Sequence, residues 1–333
     1  MSQSLSKYHP RIGYTYMPSV KTRVPWESGG YLVRTNSAGF RSDREFAKER
    51  TPGKFRAILF GDSQTAGDGL SNSQRYSELL EGIVSGLEVF NYGITGTGPD
   101  EQYMAYQEYR DSEHDLLIIG LHVENIGRIA QRYRPFVDPN GKILIYAKPY
   151  FTIEGGELVL HQVPVPKTIW TRETLPAEAA AHVYSGVPYE PIRDVIKKLG
   201  MRDLMQKVTR FQPVSDYDSP GTPNWLLLRK ILETWIRGSK TPVLLVLIPM
   251  WPFIDEWSDP TAYQARFREL ATDTGCHLHD PLADLWNYPA EERREFRLKI
   301  DTHLTFKGHQ ALAKSLAPVI ERIMRAAGKT PEA

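Results

Sequence analysis

Phe55-Arg56-Ala57-Ile58-Leu59-Phe60-Gly61-Asp62-Ser63-Gln64-Thr65-Ala66-Gly67 is the stretch that decides the fold of this chain. Its first half is apolar nearly throughout instead of alternating. That composition suits a strand covered on both faces, as in a parallel sheet. Four further short apolar runs read the same way: residues 87–93, 115–123, 242–250 and 277–282, the last less apolar than the others. Helical spacing separates them, at residues 73–84, 99–109, 223–237, 260–273 and 306–327. Pro99 sits at a first-turn position that tolerates proline. Strand–helix alternation implies right-handed crossovers and a doubly wound α/β layer.

Two regions break this rhythm. Residues 1–50 are polar and irregular, and include Thr35-Asn36-Ser37-Ala38-Gly39-Phe40-Arg41. Residues 128–222 lie between the third and fourth apolar runs and are far longer than a crossover needs. Within them, residues 141–152 and 157–163 read as strands around Glu154-Gly155-Gly156-Glu157, a hairpin signal. Residues 163–167 and 217–223 read as linkers, and helices are expected near 192–211 and at 223–237. At roughly 150 residues per domain the length implies two units, or one domain with large insertions. The pattern favours the second: an N-terminal extension over 1–50 packed on the core, one α/β domain over 51–127 and 240–333, and an insertion or cap over 128–239.

With 41 Lys+Arg and 40 Asp+Glu among 333 residues the net charge is +1, which gives no electrostatic footprint for nucleic acid or an anionic membrane. Cys276 is the single cysteine, so no internal disulfide forms. The first residues lack the apolar core of a secretory signal, and no apolar stretch approaches the ~18 residues of a membrane span. The expected compartment is the cytoplasm, where a lone thiol stays reduced. Aromatic residues, including 7 Trp and 17 Tyr, fit a ligand-stacking pocket and a plain aromatic core equally well.

Chemistry-bearing residues cluster where the apolar runs end. In an open α/β sheet, ligands bind outside the carboxyl ends of the strands. Gly61-Asp62-Ser63 ends the first run: Ser63 reads as a nucleophile with its own N–H aimed at a developing oxyanion, or as a turn with a capping serine. Asn91-Tyr92-Gly93-Ile94-Thr95-Gly96-Thr97-Gly98 ends the second: a backbone N–H donor, or a tight turn. It lacks the Lys-Ser/Thr of a phosphate loop and the Rossmann spacing. Asn125 follows the third run: an uncharged amide donor, or a turn former. Asp301-Thr302-His303 precedes the last helix: an imidazole base held by a carboxylate, or a surface loop with a capping aspartate. His309 reads as structural.

The order Gly61-Asp62-Ser63, Asn91…Gly96, Asn125, Asp301…His303 resembles the SGNH (GDSL-type) hydrolase superfamily, over about half of the chain. The resemblance implies a flavodoxin-like three-layer α/β/α fold with a central five-stranded parallel sheet, here carrying an insertion with a β-hairpin and helices. It implies acyl-ester hydrolysis or acyl transfer without a cofactor. Ser63 is then the nucleophile, His303 the general base and Asp301 its orienter. Ser63 N–H, Gly96 N–H and the Asn125 side chain become the oxyanion donors. Two departures stand out. The usual Gly-x-Asn-Asp is Val123-Glu124-Asn125-Ile126, and the lipase-type Asp-x-x-His is Asp301-x-His303, the spacing of a branch that includes polysaccharide O-acetyltransferases.

Around these motifs, Arg128, Arg132 and Arg134 read either as grips for an anionic or sugar substrate or as a solvated polar face. Trp251 and Trp257 read as a sugar or acyl pocket or as packing beneath the insertion. His277-x-His279-Asp280 has metal-ligand spacing, but the strand carrying it belongs to a buried layer, so no metal is expected. The resulting expectation is a serine esterase or O-acyltransferase. It acts on a small acetyl-like or carbamoyl-like ester of a sugar or natural product, with an alcohol acceptor if it transfers. The alternative is a catalytically silent binding module for a carbohydrate or small molecule.

Overall fold

The apolar runs lie side by side in one sheet, and the connections between them decide everything else. The computed structural model describes residues 5–27, 29–138, 140–183 and 213–329. In chain order, the first residues form two antiparallel hairpins, β1 (Ser6–His9) with β2 (Gly13–Tyr16) and β3 (Lys21–Val24) with β4 (Tyr31–Arg34). Then come β5 (Phe55–Gly61), α1 (Ser63–Ala66), α2 (Tyr76–Ile83), β6 (Leu87–Asn91), α3 (Pro99–Tyr109) and β7 (Leu116–His122). A 3-10 turn over Val123–Arg128 leads into β8 (Tyr133–Val137), β9 (Ile143–Ala147), β10 (Tyr150–Glu154), β11 (Glu157–His161), β12 (Ile169–Trp170) and α4 (Ala177–Ala180). The chain returns through α5 (Pro223–Arg237), β13 (Val243–Ile248), α6 (Trp251–Ile254), α7 (Thr261–Thr274), β14 (His277–His279), α8 (Leu282–Trp286), α9 (Ala290–Arg294) and α10 (Phe306–Ala326).

The central sheet has the order β14-β13-β7-β5-β6, and every pairing in it is parallel. Counted along the sheet's own strands this is 2-1-3-4-5, the flavodoxin-like doubly wound order. Right-handed crossovers then dictate the layers. The step from β5 to β6 runs one way and all later steps run the other, so their helices fall on opposite faces. The helix packing agrees: α2 packs with α10, while α3, α5 and α7 pack together. All residues of β5, β6, β7 and β13 are buried, as the continuous apolar runs require. Phe60 on β5 meets Trp235 of α5 and Tyr106 of α3 edge-on.

Several local expectations change. The fifth strand is only three residues long, because Asp280 turns back to accept from Leu282 N–H, and Pro281 has no N–H to donate. Residues 141–152 are two strands, not one. Lys148 and Pro149 divide them: the Lys148 ammonium is drawn into the interior by Asp100, and the proline cannot continue the ladder. So β9 pairs with β8 and β12, and only β10 pairs with β11 across the Gly155-Gly156 turn. The first 50 residues are not irregular. Their strands are four residues each, too short for periodicity to show. Residues 163–167 are no free linker either, since Val165 is buried, donates its N–H to Pro10 O and accepts from Tyr8 Oη. Tyr217, in the second expected linker, is buried and donates to Val123 O. The helix expected near 192–211 lies outside the described residues.

Phe40 explains how the leading segment attaches. Asn36 Oδ1 accepts from Phe40 N–H, and Gly39 takes φ +82° where a Cβ would lie 2.6 Å from Tyr16 O. This turn drives Phe40 edge-on into Tyr92 and Tyr109, at 4.8 and 4.7 Å between ring centroids.

Candidate active site

Ser63 is the first residue of α1, immediately beyond the carboxyl end of β5 and beside the point where strand order reverses. The turn that places it is tight. A Cβ on Gly61 would sit 2.8 Å from Gly120 O and closer still to Thr65, so only glycine fits. Asp62 caps the helix, its Oδ1 accepting from Gln64 N–H at 3.0 Å. After one turn, Gly67 (φ +75°) closes the helix on Ser63 O. Ser63 is buried to 5% exposure.

Asn125 follows β7 and is buried. Its Nδ2 donates to Asp62 Oδ2 at 2.6 Å, which joins the third motif to the first. That bond uses one of the two amide protons. Asn91, at the end of β6, is structural: Nδ2 donates to Thr65 O and Ser77 Oγ, and Oδ1 accepts from Gly93 N–H. The loop beyond it carries Gly96 at φ +78°.

Asp301 and His303 form one unit. Asp301 Oδ1 accepts both from His303 N–H (3.1 Å) and from His303 Nδ1 (2.5 Å). The tight Asp-x-His spacing therefore works as an Asx-type turn, in which one carboxylate oxygen holds backbone and ring together. With Nδ1 as the donor, Nε2 carries the lone pair. Burial alone would lower the His303 pKa. The Asp301 hydrogen bond and charge, helped by Asp68 and Asp62, outweigh it, so the net shift is upward. No hydrogen bond joins Ser63 and His303 among the described residues. Such contacts are often open in a free enzyme.

Residues that no motif announced hold this arrangement. Gln64, next to Ser63, brackets His303: Nε2 donates to Thr302 O at 3.4 Å, and Oε1 accepts from Leu304 N–H at 3.2 Å. Glu27 accepts from the N–H groups of Ile300 and Asp301, and Trp26 meets the His303 ring edge-on. The Gly96 loop is held from the leading segment as well. Tyr14 Oη donates to Thr95 O at 2.5 Å, Tyr16 Oη bonds Thr95 Oγ1 at 2.6 Å, and Thr95 Oγ1 donates to Asp68. Burial, with the Asp68 charge behind it, pushes Tyr16 up to about 12. Only Asp68 had a local signal, in the Gly67-Asp68-Gly69 turn. The others act from distant chain positions.

The flanking residues all engage the protein itself. Arg128 Nη1 donates to Thr97 O, and Arg132 lies 4.7 Å over the Tyr150 ring. Arg134 is buried between Tyr14 Oη and Glu101. Trp251 is buried and donates Nε1–H to Thr302 O at 2.6 Å, a third tie on the His303 loop. His279 bonds Ser315, and Asp280 accepts from Tyr263 and Gln264. No cluster of three or more metal-ligating side chains occurs among the described residues. None of their helices is long and apolar enough to cross a membrane.

No protein-family model and no curated protein matches the chain. Solved structures do resemble it in fold. One is a lipolytic protein of the G-D-S-L family from Veillonella parvula DSM 2008, at 11% identity and TM-score 0.43, covering 80% of this chain and 99% of that one. TesA matches at 14% identity and TM-score 0.43 over 80% and 99%. The acetylxylan esterase Axe2 of Geobacillus stearothermophilus matches at 14% identity and TM-score 0.43 over 81% and 96%.

Proposed function

We propose that this chain is a serine-dependent enzyme that hydrolyses or transfers a small acyl ester, acetyl-like or carbamoyl-like, on a sugar or natural product. The observation that carries this reading is the Asp301–His303 pair, on a loop that Gln64 ties to the helix beginning at Ser63. His303 Nε2 takes the Ser63 hydroxyl proton as Oγ attacks the ester carbonyl. Ser63 N–H, Gly96 N–H and the free proton of the Asn125 amide receive the oxyanion, and each such donor is worth about 10²–10³ in turnover. His303 then protonates the departing alkoxide. Water or a second alcohol, deprotonated by the same imidazole, resolves the acyl-enzyme and frees Ser63. In this reading residues 51–127 and 240–333 form the catalytic domain, while 1–50 and 128–239 buttress it and shape substrate access. The chain needs no cofactor, and its partners are the ester and an acceptor alcohol.

Two observations favour a second reading, a silent binding module: Ser63 and His303 share no hydrogen bond, and Asn125 commits an amide proton to Asp62. A fluorophosphonate probe decides. Covalent labelling of the wild type that is lost in Ser63→Ala supports the enzyme. Absence of labelling, under conditions that label a control esterase, supports the binding module. Labelling that survives Ser63→Ala removes Ser63 from the mechanism. Partitioning of the acyl group between water and added alcohols separates hydrolase from transferase.

A further inference from the structure

His122, the last residue of β7, is a buried histidine that the mechanism above leaves without a task. It is 9% exposed, yet neither ring nitrogen hydrogen-bonds a described residue, and neither is sealed away from open space. Other histidines near it or on the same sheet are satisfied. His303 holds Asp301, His309 accepts from Tyr76 N–H, and His279 bonds Ser315 Oγ. A polar group this deep costs free energy until a partner meets it.

The sheet sets its position. Gly61 of β5 pairs with Gly120 of β7, and Ser63 and His122 each stand two residues beyond that pair, at the ends of strands about 4.8 Å apart. Gly120 faces α1 and α2, since a Cβ there would lie 2.6 Å from Thr65 Oγ1 and 2.8 Å from Tyr76 Oη. Side chains two residues apart on a strand share a face, so the His122 ring lies on the side of the sheet where Ser63 opens α1. The His303 loop arrives on that same side, because α10 packs against α2. Burial is the largest influence on the His122 charge. Asp62 and Glu124 oppose it, Arg128 and His303 reinforce it, and the net shift is downward. The ring is therefore neutral at pH 7, with one N–H and one lone pair to offer.

The other directions around the ester carbon are taken. The oxyanion turns to Ser63 N–H, Gly96 N–H and Asn125, and the alcohol oxygen must lie toward His303, which protonates it. The acyl substituent remains, and a side chain as deep as His122 meets the small end of a substrate. An acetyl methyl has nothing to give a lone pair. A carbamoyl NH2 is nearly the same size and donates.

We propose that His122 contacts the acyl group and accepts a hydrogen bond from a carbamoyl NH2, which makes this a carbamoyl-ester site in preference to an acetyl-ester site. The assignment rests on the serine reading given above and narrows its substrate. Ser63 Oγ bonds the carbamoyl carbon, the bond to the alcohol oxygen breaks, and the Ser63 proton leaves on that alcohol through His303. A site with a buried acceptor discriminates against the group that leaves it unpaired.

The test uses the full chain with phenyl carbamate and phenyl acetate, each corrected for uncatalysed hydrolysis, beside fluorophosphonate labelling. The readout is the ratio of kcat/KM, carbamate over acetate, which does not depend on how much of a sample is folded. In His122→Leu and His122→Met that ratio is expected to fall about ten-fold or more. In His122→Gln, which keeps an acceptor, it should recover part of the way. A ratio unchanged from wild type in the apolar variants overturns the acyl contact, and an equal fall for both esters is that result, marking a structural role. Wild-type protein that labels but turns over neither ester also overturns it, with the serine reading intact. Wild-type protein that neither labels nor turns over either ester overturns both.

Discussion

Gln64→Ala is the sharpest perturbation of the proposed machinery, because it touches neither Ser63 nor the Asp301–His303 pair. It removes two hydrogen bonds, to Thr302 O at 3.4 Å and from Leu304 N–H at 3.2 Å. Both are longer than the usual 2.9–3.0 Å, so each belongs in the lower half of the ~0.5–1.5 kcal/mol range. Together they are worth about 1–2 kcal/mol. If that energy holds His303 in place during attack, kcat/KM falls about 5- to 30-fold, at ~1.36 kcal/mol per decade. The loss should fall in kcat rather than KM, and fluorophosphonate labelling should slow by the same factor. The acid limb of the pH profile should stay where it is, since Asp301 still holds the ring. Gln64→Glu keeps the acceptor for Leu304 N–H and adds a negative charge. It should recover part of the rate and move the acid limb upward. Unfolding midpoints of both variants show how much of each sample is folded. Wild-type kcat/KM in fully folded Gln64→Ala, or a shifted acid limb in that variant, refutes the brace.

Other outcomes follow from the same geometry. His303 must be neutral to act as base and its pKa is raised, mainly by Asp301 acting against burial, so kcat/KM should climb with pH through a midpoint above 6.5. In Asp301→Asn that midpoint should fall toward or below 6.5 as the rate drops, and a stationary midpoint rules out the pairing. Gly96→Ala forces a left-handed alanine, costing about 1 kcal/mol, and a methyl 2.9 Å from Tyr14 Oη. Turnover should fall at least ten-fold, with partial recovery in Gly96→Ala/Tyr14→Phe, as initial rates would show. Lys148→Ala strands the buried Asp100 carboxylate and should cost roughly 3–5 kcal/mol in urea unfolding, whereas Lys148→Met/Asp100→Leu should recover most of it. His309 is buried, accepts from Tyr76 N–H and is lowered to about 3 by burial. Its neutral form is favoured in the fold, so its stabilisation is complete above pH 6.5 and is lost as pH falls toward 3. Wild type should lose about 2 kcal/mol from this group between pH 7 and pH 5, and His309→Gln should flatten that slope.

Reading outward from Phe55–Gly61, the sequence identifies the sheet's strands because a strand buried on both faces must be apolar at every position. It finds β14 but overruns its end by three residues, and it misses the strands of the first 50 residues, where elements of four residues are too short to show a period. It merges β9 with β10 because nothing local reveals that Lys148 turns inward to a carboxylate 48 residues away.

What the sequence determined by itself is the set of chemical groups and their place along the chain: Ser63, Gly96 and Asn125 beyond the ends of β5, β6 and β7, and Asp301 and His303 ahead of α10. Right-handed crossovers then leave few ways to arrange them. Only the tertiary structure decided what holds those groups. Gln64 reaches a loop some 240 residues downstream, Tyr14 reaches Thr95 across 81, and Glu27 reaches Ile300 across 273. Contacts at such separations obey no spacing rule, because side-chain periodicity describes one element at a time. The orienting bonds come instead from which surfaces the fold presses together.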